Sequence, residues 1–390
     1  DAENYLDFFD YIFGRSKIAP ENKLFYDYSF EKWKQKSGES IDPMKFSVSR
    51  ETVPDKFSNQ SSLSTQQDSI RQKIRWLLGD TPPGVHGNIP LSSLLEKNST
   101  YPDDYLEEVI GEPALPARIK KMPIGPYTPL GDDLWGNIYF PAGSLIKDSV
   151  SGKLPLVIFL HKYSYATGYH IEGASIIRHF TEKGFAVLAL DMMGFGTRIE
   201  EALHFYDRYP EWSVMGKMVT DTRNVINDAC TRMPFIDTNK IYLAGYSLGG
   251  TVALFTAALD DRVKGTAVVS AFSSLRNDNT GTEGIRHYSE LHGLIPRLGF
   301  FEGHEDRIPI DFDDVLACIV PRQLLIIAPI HDRDHTITSV QSMVAPVSAL
   351  YKQKQVSDKI TFEQPDTFNH FPDSLQKKVV EWTERINSNF

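Results

Sequence analysis

Beyond residue 118 the chain alternates short apolar runs with longer stretches whose apolar residues recur every three or four positions. The runs at 154–160 and 186–190 are apolar throughout, as expected of strands covered on both faces of a parallel sheet. Further strands are predicted at 118–124 and 134–140, as an antiparallel pair at a sheet edge, and at 241–244, 265–271, 323–328 and 359–363. Helices are predicted at 171–183, at 213–233 with Val214, Met218, Thr222, Val225 and Ala229 on one side, and at 374–387 with Leu375, Val379, Trp382 and Ile386. Strands alternating with helices over about 270 residues describe an α/β fold, a mostly parallel central sheet with helices on both faces. Chemistry in such sheets gathers beyond the carboxyl ends of the strands.

Residues 1–118 lack this rhythm. Short helices are predicted at 4–13 (NYLDFFDYIF) and 30–36, their aromatic residues reading as packing feet on a larger domain. A longer helix at 66–78 places Ile70, Ile74, Leu77 and Leu78 on one side and ends at Gly79, ahead of Pro82 and Pro83. Residues 58–64 form a polar loop and 85–118 are irregular. The expected division is a largely helical N-terminal extension, 1–118, packing on a catalytic domain, 119–390. Residues 271–312 form an insertion between strands of that domain, over the pocket.

The 390 residues hold 41% hydrophobic and 12% aromatic side chains, enough for a large core. A net charge of −10 gives no basic stripe for nucleic acid and would be repelled by an anionic membrane. No apolar run approaches the roughly 18 residues that span a bilayer. Cys230 and Cys318 lack metal-site or redox-motif neighbours and read as inert, buried thiols, a disulfide between them being the alternative. An opening at Asp1 without Met or a signal-like core fits a processed, exported chain, secreted or periplasmic, as well as a trimmed one. Sequons begin at Asn59 and Asn98.

The chain's chemistry centres on Gly245-Tyr246-Ser247-Leu248-Gly249-Gly250. The apolar residues 241–244 lead into it and an alanine-containing apolar stretch, 251–258, leads away. Strand, sharp turn and helix would present a strained Ser247 at the sheet edge and at a helix N-terminus. Alone, the five-residue pattern also fits an ordinary glycine turn; its flanks favour a nucleophile. After 154–160 comes His161-Lys162-Tyr163-Ser164, where an acyl-transfer site needs its second oxyanion donor. The two backbone donors are then Tyr163 and Leu248, with the His161 side chain as a loop brace. After 323–328 comes Pro329-Ile330-His331-Asp332-Arg333-Asp334-His335. Asp332 is favoured over Asp334 as the acid that orients an imidazole. The two histidines and two aspartates do not have the offsets of a metal site. His370, last of the 11 histidines, follows the final strand, where the order Ser, Asp, His requires the base.

These residues resemble the α/β-hydrolase superfamily, and within it the bacterial acetyl xylan esterase-like and dienelactone hydrolase-like branch. The resemblance covers 119–390 and rests on His161-Lys162-Tyr163, Asp191 to Arg198, Gly245 to Gly250, Asp332 and His370. Met215 to Val219 with Asp221, and Gly293 to Phe301, are similar to the same group, and Arg75 to Asp80 is similar to its leading segment. Two positions depart from the pattern: Lys162 replaces a small glycine of the oxyanion loop, and Pro329 stands where glycine usually precedes the acid. The resemblance implies an α/β-hydrolase fold and ester hydrolysis through an acyl-enzyme, with Ser247, His370 and Asp332 as triad and no cofactor or metal. The substrate would be a small-molecule or polysaccharide ester, acetyl groups on carbohydrate being the first expectation, with Lys162, Trp212 and Tyr288 among its contacts and the insertion shaping specificity. A prolyl-oligopeptidase-like serine peptidase shares sheet and chain order, but 118 preceding residues are too few for the β-propeller those enzymes carry. A non-catalytic scaffold of the same fold would be expected to have lost a triad member.

Overall fold

The apolar runs become the centre of one sheet. The computed structural model describes residues 9–17, 28–48, 53, 57, 63–79, 118–127, 134–142, 152–164, 167–203, 205–276, 284–290 and 293–388. Its strands are β1 (Ile119–Tyr127), β2 (Leu134–Pro141), β3 (Leu154–Leu160), β4 (Ala186–Leu190), β5 (Ile236–Tyr246), β6 (Val263–Val269), β7 (Gln323–Ile327) and β8 (Ile360–Glu363). They lie in the order β1-β2-β4-β3-β5-β6-β7-β8. β2 pairs antiparallel with both β1 and β4, and all other pairs are parallel. The predicted edge pair and the buried parallel centre are therefore present. β5 begins before its apolar run because Ile236 pairs with Leu154.

Side chains alternate between the two faces of a strand. Leu156, Ile158 and Leu160 of β3 and Ile241 and Leu243 of β5 enter the larger core. Val157, Phe159, Tyr242 and Ala244 enter the other. The α-helices of six residues or more are α1 (Phe30–Ser37), α2 (Leu63–Leu78), α3 (His170–Glu182), α4 (Val214–Arg232), α5 (Leu248–Leu259), α6 (Phe312–Ala317), α7 (Ile337–Gln353) and α8 (Asp373–Asn387). The smaller core is closed by α3, through Ile176, Ile177 and Phe180, and by α8, through Leu375, Val379, Trp382 and Ile386. α4, α5, α6 and α7 cover the opposite face. α7 carries Pro346, whose missing N–H disfavours a helix interior. Burial of Val340, Val344, Val347, Leu350 and Tyr351 along one side holds it in place.

The described part of the N-terminal segment packs on the larger core. Trp33, Val53, Phe57, Ile70, Ile74, Leu77 and Leu78 belong to that cluster. Three sequence-distant stretches, 75–79, 212–218 and 293–301, meet at one junction. The Leu78 carbonyl accepts from the Ser213 amide at 2.9 Å and its hydroxyl at 2.6 Å, and the Ser213 hydroxyl also caps α4 through the Gly216 amide at 2.8 Å. The Met215 amide donates to the Leu294 carbonyl at 2.9 Å. A Cβ on Gly216 would lie 2.5 Å from the Leu78 carbonyl oxygen, so glycine is required there by close approach. Arg297 grips Glu39 through three hydrogen bonds of 2.7, 2.8 and 3.1 Å, donates to the Trp76 carbonyl, and stacks 5.6 Å from the Trp76 ring centroid. Of 4–13, residues 9–13 lie within the described residues, and 9–12 form a helical turn. The region 85–117 and both sequons fall outside them. Cys230 and Cys318 are both free thiols, and burial raises the Cys318 pKa to about 12. No helix of the described residues is long and apolar enough to cross a membrane.

The Arg297–Glu39 pair is largely screened from water, its side chains 11% and 15% exposed. Truncating one partner of such a pair strands the other. Arg297→Ala is expected to lower unfolding free energy by about 2 kcal/mol in a urea titration, with part of the loss recovered when Glu39→Gln is added. An unchanged midpoint in Arg297→Ala would remove this pair as an anchor of the extension.

Candidate active site

The turn from β5 to α5 is built by close packing. Ser247 has φ 52° and ψ −122°, a conformation that costs a non-glycine residue on the order of 1–3 kcal/mol. The surroundings enforce it. A Cβ on Gly249 would lie 2.5 Å from the His161 carbonyl oxygen and overlap the Leu160 carbonyl. A Cβ on Gly250 would lie 2.6 Å from the Ala271 Cβ. The first turn of α5 therefore lies directly against the ends of β3 and β6. The Ser247 amide continues the sheet ladder, donating to the Val269 carbonyl at 2.9 Å. Ser270 and Ala328 repeat this one strand further on, donating to Ile327 and Glu363 at 3.0 and 2.9 Å. Three successive strand ends are thus held in register at the edge where the chemistry is expected.

Leu248 is the first residue of α5, so its N–H has no acceptor within the helix. Tyr163 lies on the loop after β3, which abuts that turn. His161 braces this loop. Its ring is fully buried, accepts from the Met192 amide at Nε2 (3.0 Å) and lies 2.6 Å from the Lys162 carbonyl at Nδ1. These partners assign the proton to Nδ1, and burial lowers the ring's pKa. Asp191 organises the loop after β4: Oδ1 accepts from the Tyr169 amide at 3.1 Å, and Oδ2 from the Thr197 amide and hydroxyl at 2.9 and 3.0 Å. Beneath it Arg198, 1% exposed, pairs with Asp221 at 2.9 Å and Glu201 at 2.7 Å, and Asp221 also accepts from Lys217. Desolvated charges of this kind persist only when matched.

Asp332 follows β7 and is 6% exposed. The amides of Asp334 and His335 donate to its Oδ1 at 2.9 and 3.2 Å. Its Oδ2 is buried with no hydrogen-bond partner among the described residues. Burial raises the carboxyl pKa, opposed by those two amides and by the nearby Ser270 hydroxyl, which favours the ionised form without reaching bonding geometry. Asp334, the competing acid, is half-buried and accepts from Asn369 at 3.2 Å. Backbone bonds from Ile330 to Pro365 (3.0 Å) and His331 to Thr367 (3.1 Å) draw the loops after β7 and β8 together. A 2.8 Å contact between His331 and Asp366 adds to them.

His370 stands on the second of these loops, but its ring is turned outward. It is exposed, with Nδ1 donating to the Phe368 carbonyl at 3.0 Å and lying 3.3 Å from the Thr367 hydroxyl. No hydrogen bond joins it to Asp332 or Ser247. The structure therefore brings the loops of the expected acid and base side by side without closing a relay between Ser247, Asp332 and His370.

Residues 156–360 match the model of the hydrolase family described as serine aminopeptidase, S33. The chain belongs to that family. It is a hydrolase of the α/β-hydrolase superfamily. YtaP of Bacillus subtilis (strain 168) is 27% identical over 244 residues, 58% of this chain and 76% of its own. Among solved structures, a glucuronoyl esterase from Solibacter usitatus superimposes with a TM-score of 0.58 at 12% identity, covering 88% of this chain and 99% of that one. Methylesterase BT1017 gives 0.56 at 16% identity over 85% of this chain, which spans 65% of that protein's chain, less than two thirds. A carbohydrate esterase family 15 glucuronoyl esterase from Caldicellulosiruptor kristjansonii gives 0.56 at 16% identity, covering 89% and 93%. At such identities the likeness is one of fold.

Three expected substrate contacts take different places. Trp212 and Tyr288 are 1% and 2% exposed and pack in the larger core, so neither offers a face to a ligand. Trp212 sits among the rings of Phe205 and Tyr209, and Tyr288 against Phe312. Residue type and a loop position in the sequence do not separate a buried aromatic from a rim aromatic. Lys162 is half-buried with Nζ 5.8 Å from the Tyr246 ring centroid, within cation–π range. The hydrophobic pattern also passed over Asp311. Its Oδ1 accepts from Leu275 and Phe312 amides at 2.8 and 2.7 Å and its Oδ2 from the Ser274 hydroxyl at 2.6 Å, tying the loop after β6 to α6. The Asp311-x-x-Asp314 spacing, a capping box, was its signal. Ser270, with φ 49°, left no sequence signal.

His335 supplies a pH test. It is 4% exposed, and burial first, then the neighbouring His287, lowers its pKa from 6.5 to about 3. Unfolded, the ring takes a proton near 6.5; folded, it does not until about 3, so the unfolded state binds more protons in between. Stability is expected to fall as pH drops through that window, by at most about 1.4 kcal/mol per unit from this group. In His335→Asn the loss between pH 7 and pH 5, measured as the shift of urea midpoint, should be smaller than in wild type. Equal shifts would show that His335 titrates normally.

Proposed function

We propose that the protein is a serine carboxylesterase that acts through an acyl-enzyme on esters of a carbohydrate. The observation that supports this most strongly is a strained serine at a helix N-terminus, with a buried acid lacking one hydrogen-bond partner at the second strand beyond it. An ionised carboxylate oxygen buried without a donor is costly, and an imidazole N–H is the donor that would satisfy it. In the proposed active form the His370 ring leaves the Phe368 carbonyl and gives its Nδ1–H to Asp332 Oδ2, so that Nε2 faces Ser247.

Ser247 Oγ then attacks the ester carbonyl as its proton passes to His370 Nε2. The amides of Tyr163 and Leu248 receive the developing oxyanion. Collapse of the tetrahedral species breaks the bond to the alcohol oxygen, which takes the proton from His370. Water, deprotonated by the same nitrogen, attacks the acyl-enzyme, and a second collapse returns the proton to Ser247 and frees the acid. The triad needs no metal or cofactor. Acetyl groups are the first substrate expectation. The esterases of similar fold carry methyl and glucuronoyl esters in their names, and a lysine near the turn suits an acidic sugar, so uronate esters are the second. The family description favours one further reading, hydrolysis of an N-terminal peptide bond by the same groups.

A single panel separates these readings: p-nitrophenyl acetate and butyrate, acetylated xylan, benzyl glucuronate and a prolyl amide. Wild type should turn over at least one ester, and Ser247→Ala should lose on the order of 10³-fold or more in kcat. Asp332→Asn and His370→Ala should each lose a large share of that factor, and combining them with Ser247→Ala should add little. Ester turnover surviving in Ser247→Ala would sink the triad. Amide cleavage without ester cleavage would favour the peptidase reading.

A further inference from the structure

We propose that His287, supplied by the insertion at 271–312, is a positioning residue that ties the oxyanion loop to the loop carrying the acid. The inference rests on the triad reading above and extends it to a residue that takes no part in the triad or oxyanion hole. His287 is half-buried, and its Nε2 lies 3.4 Å from the Tyr163 hydroxyl. Its ring stands edge-on to Tyr163 at 6.1 Å and to His335 at 5.6 Å. Tyr163 in turn stands edge-on to Phe195 at 5.9 Å, and Phe195 to His161 at 5.6 Å. Five rings thus run in an unbroken row from the loop after β3 to the loop after β7. His287 is the member that comes from neither of these loops nor from the loop after β4.

Tyr163 and His335, on either side of His287 in this row, stand on the loops that matter for acyl transfer. Tyr163 carries the proposed oxyanion amide. His335 donates its own amide to Asp332 Oδ1 at 3.2 Å, and its Nδ1 lies 3.3 Å from the Ser273 hydroxyl on the loop after β6. Edge-to-face ring pairs contribute about 0.5–1.5 kcal/mol each and have directional preferences. A missing ring between Tyr163 and His335 would free both together. Oxyanion donors and an orienting acid act mainly in the transition state, so the loss should fall on kcat.

The test uses three variants of the full chain. His287→Ala removes the ring, His287→Phe restores a ring without its nitrogens, and His287→Asn restores polarity without the ring. With p-nitrophenyl acetate, His287→Ala should lose roughly 10-fold or more in kcat with KM within about twofold of wild type. His287→Phe should recover most of that loss and His287→Asn little of it. The His335 imidazole proton resonances, assigned by their disappearance in His335→Asn, should move in His287→Ala and return towards their wild-type positions in His287→Phe. Unchanged kcat in His287→Ala would overturn the proposal. A raised KM at constant kcat would overturn it in favour of direct substrate contact. If wild type turns over no ester, the esterase reading fails, while the resonance shift still reports whether His287 holds His335.

Discussion

The contact on which the rest of the site depends is the approach of α5 to the ends of β3 and β6. It is a steric constraint more than an attraction. With glycine at 249 and 250 the first helical turn sits against the Leu160 and His161 carbonyls and the Ala271 methyl, where any side chain would collide. That approach compels the strained backbone at Ser247, and the apolar residues of β5 and α5, nearly all fully buried, supply the packing energy that sustains the strain. It also sets the loop carrying Tyr163 beside the N–H of Leu248. The proposed nucleophile and the proposed oxyanion donors therefore take their places through one packing event.

The remaining groups reach this centre through strand register. The amides of Ser247, Ser270 and Ala328 each bond to the last carbonyl of the next strand, which leaves three loops starting at one level. Each loop is then shaped by a buried polar group: His161 after β3, Asp191 after β4, Asp311 after β6 and Asp332 after β7. All four spend their hydrogen-bonding capacity largely on backbone amides or carbonyls. A buried carboxylate that accepts from two or three N–H groups fixes a loop as firmly as a secondary-structure ladder would. Asp332 stands apart because one of its oxygens is left over.

The N-terminal segment contributes at a distance. The bonds from Ser213 to the Leu78 carbonyl, together with the Arg297 guanidinium on Glu39 and Trp76, join it to the start of α4 and to the C-terminal half of the insertion. The other half of the insertion presents His287 to Tyr163. One inserted segment thus makes contacts both with the segment that packs on the larger core and with the loops around Ser247.

Sequence periodicity determined the sheet, its antiparallel edge, the helices α3, α4 and α8, and the positions of Ser247, Asp332 and His370 at strand ends. Those features follow from local rules: a strand covered on both faces must be apolar throughout, and a strand-to-helix turn this tight requires glycine. Periodicity passed over α7, where Pro346 breaks the pattern and only burial against the core restores the helix. It also could not tell that Trp212 and Tyr288 pack inward, because an aromatic ring looks the same in sequence whether it faces solvent or core. The row of rings through His287, the stranded oxygen of Asp332 and the outward turn of His370 were decided by tertiary structure alone. Each depends on which loops meet in space, and residues more than a hundred positions apart, such as Tyr163 and His287, leave no local pattern to record their contact.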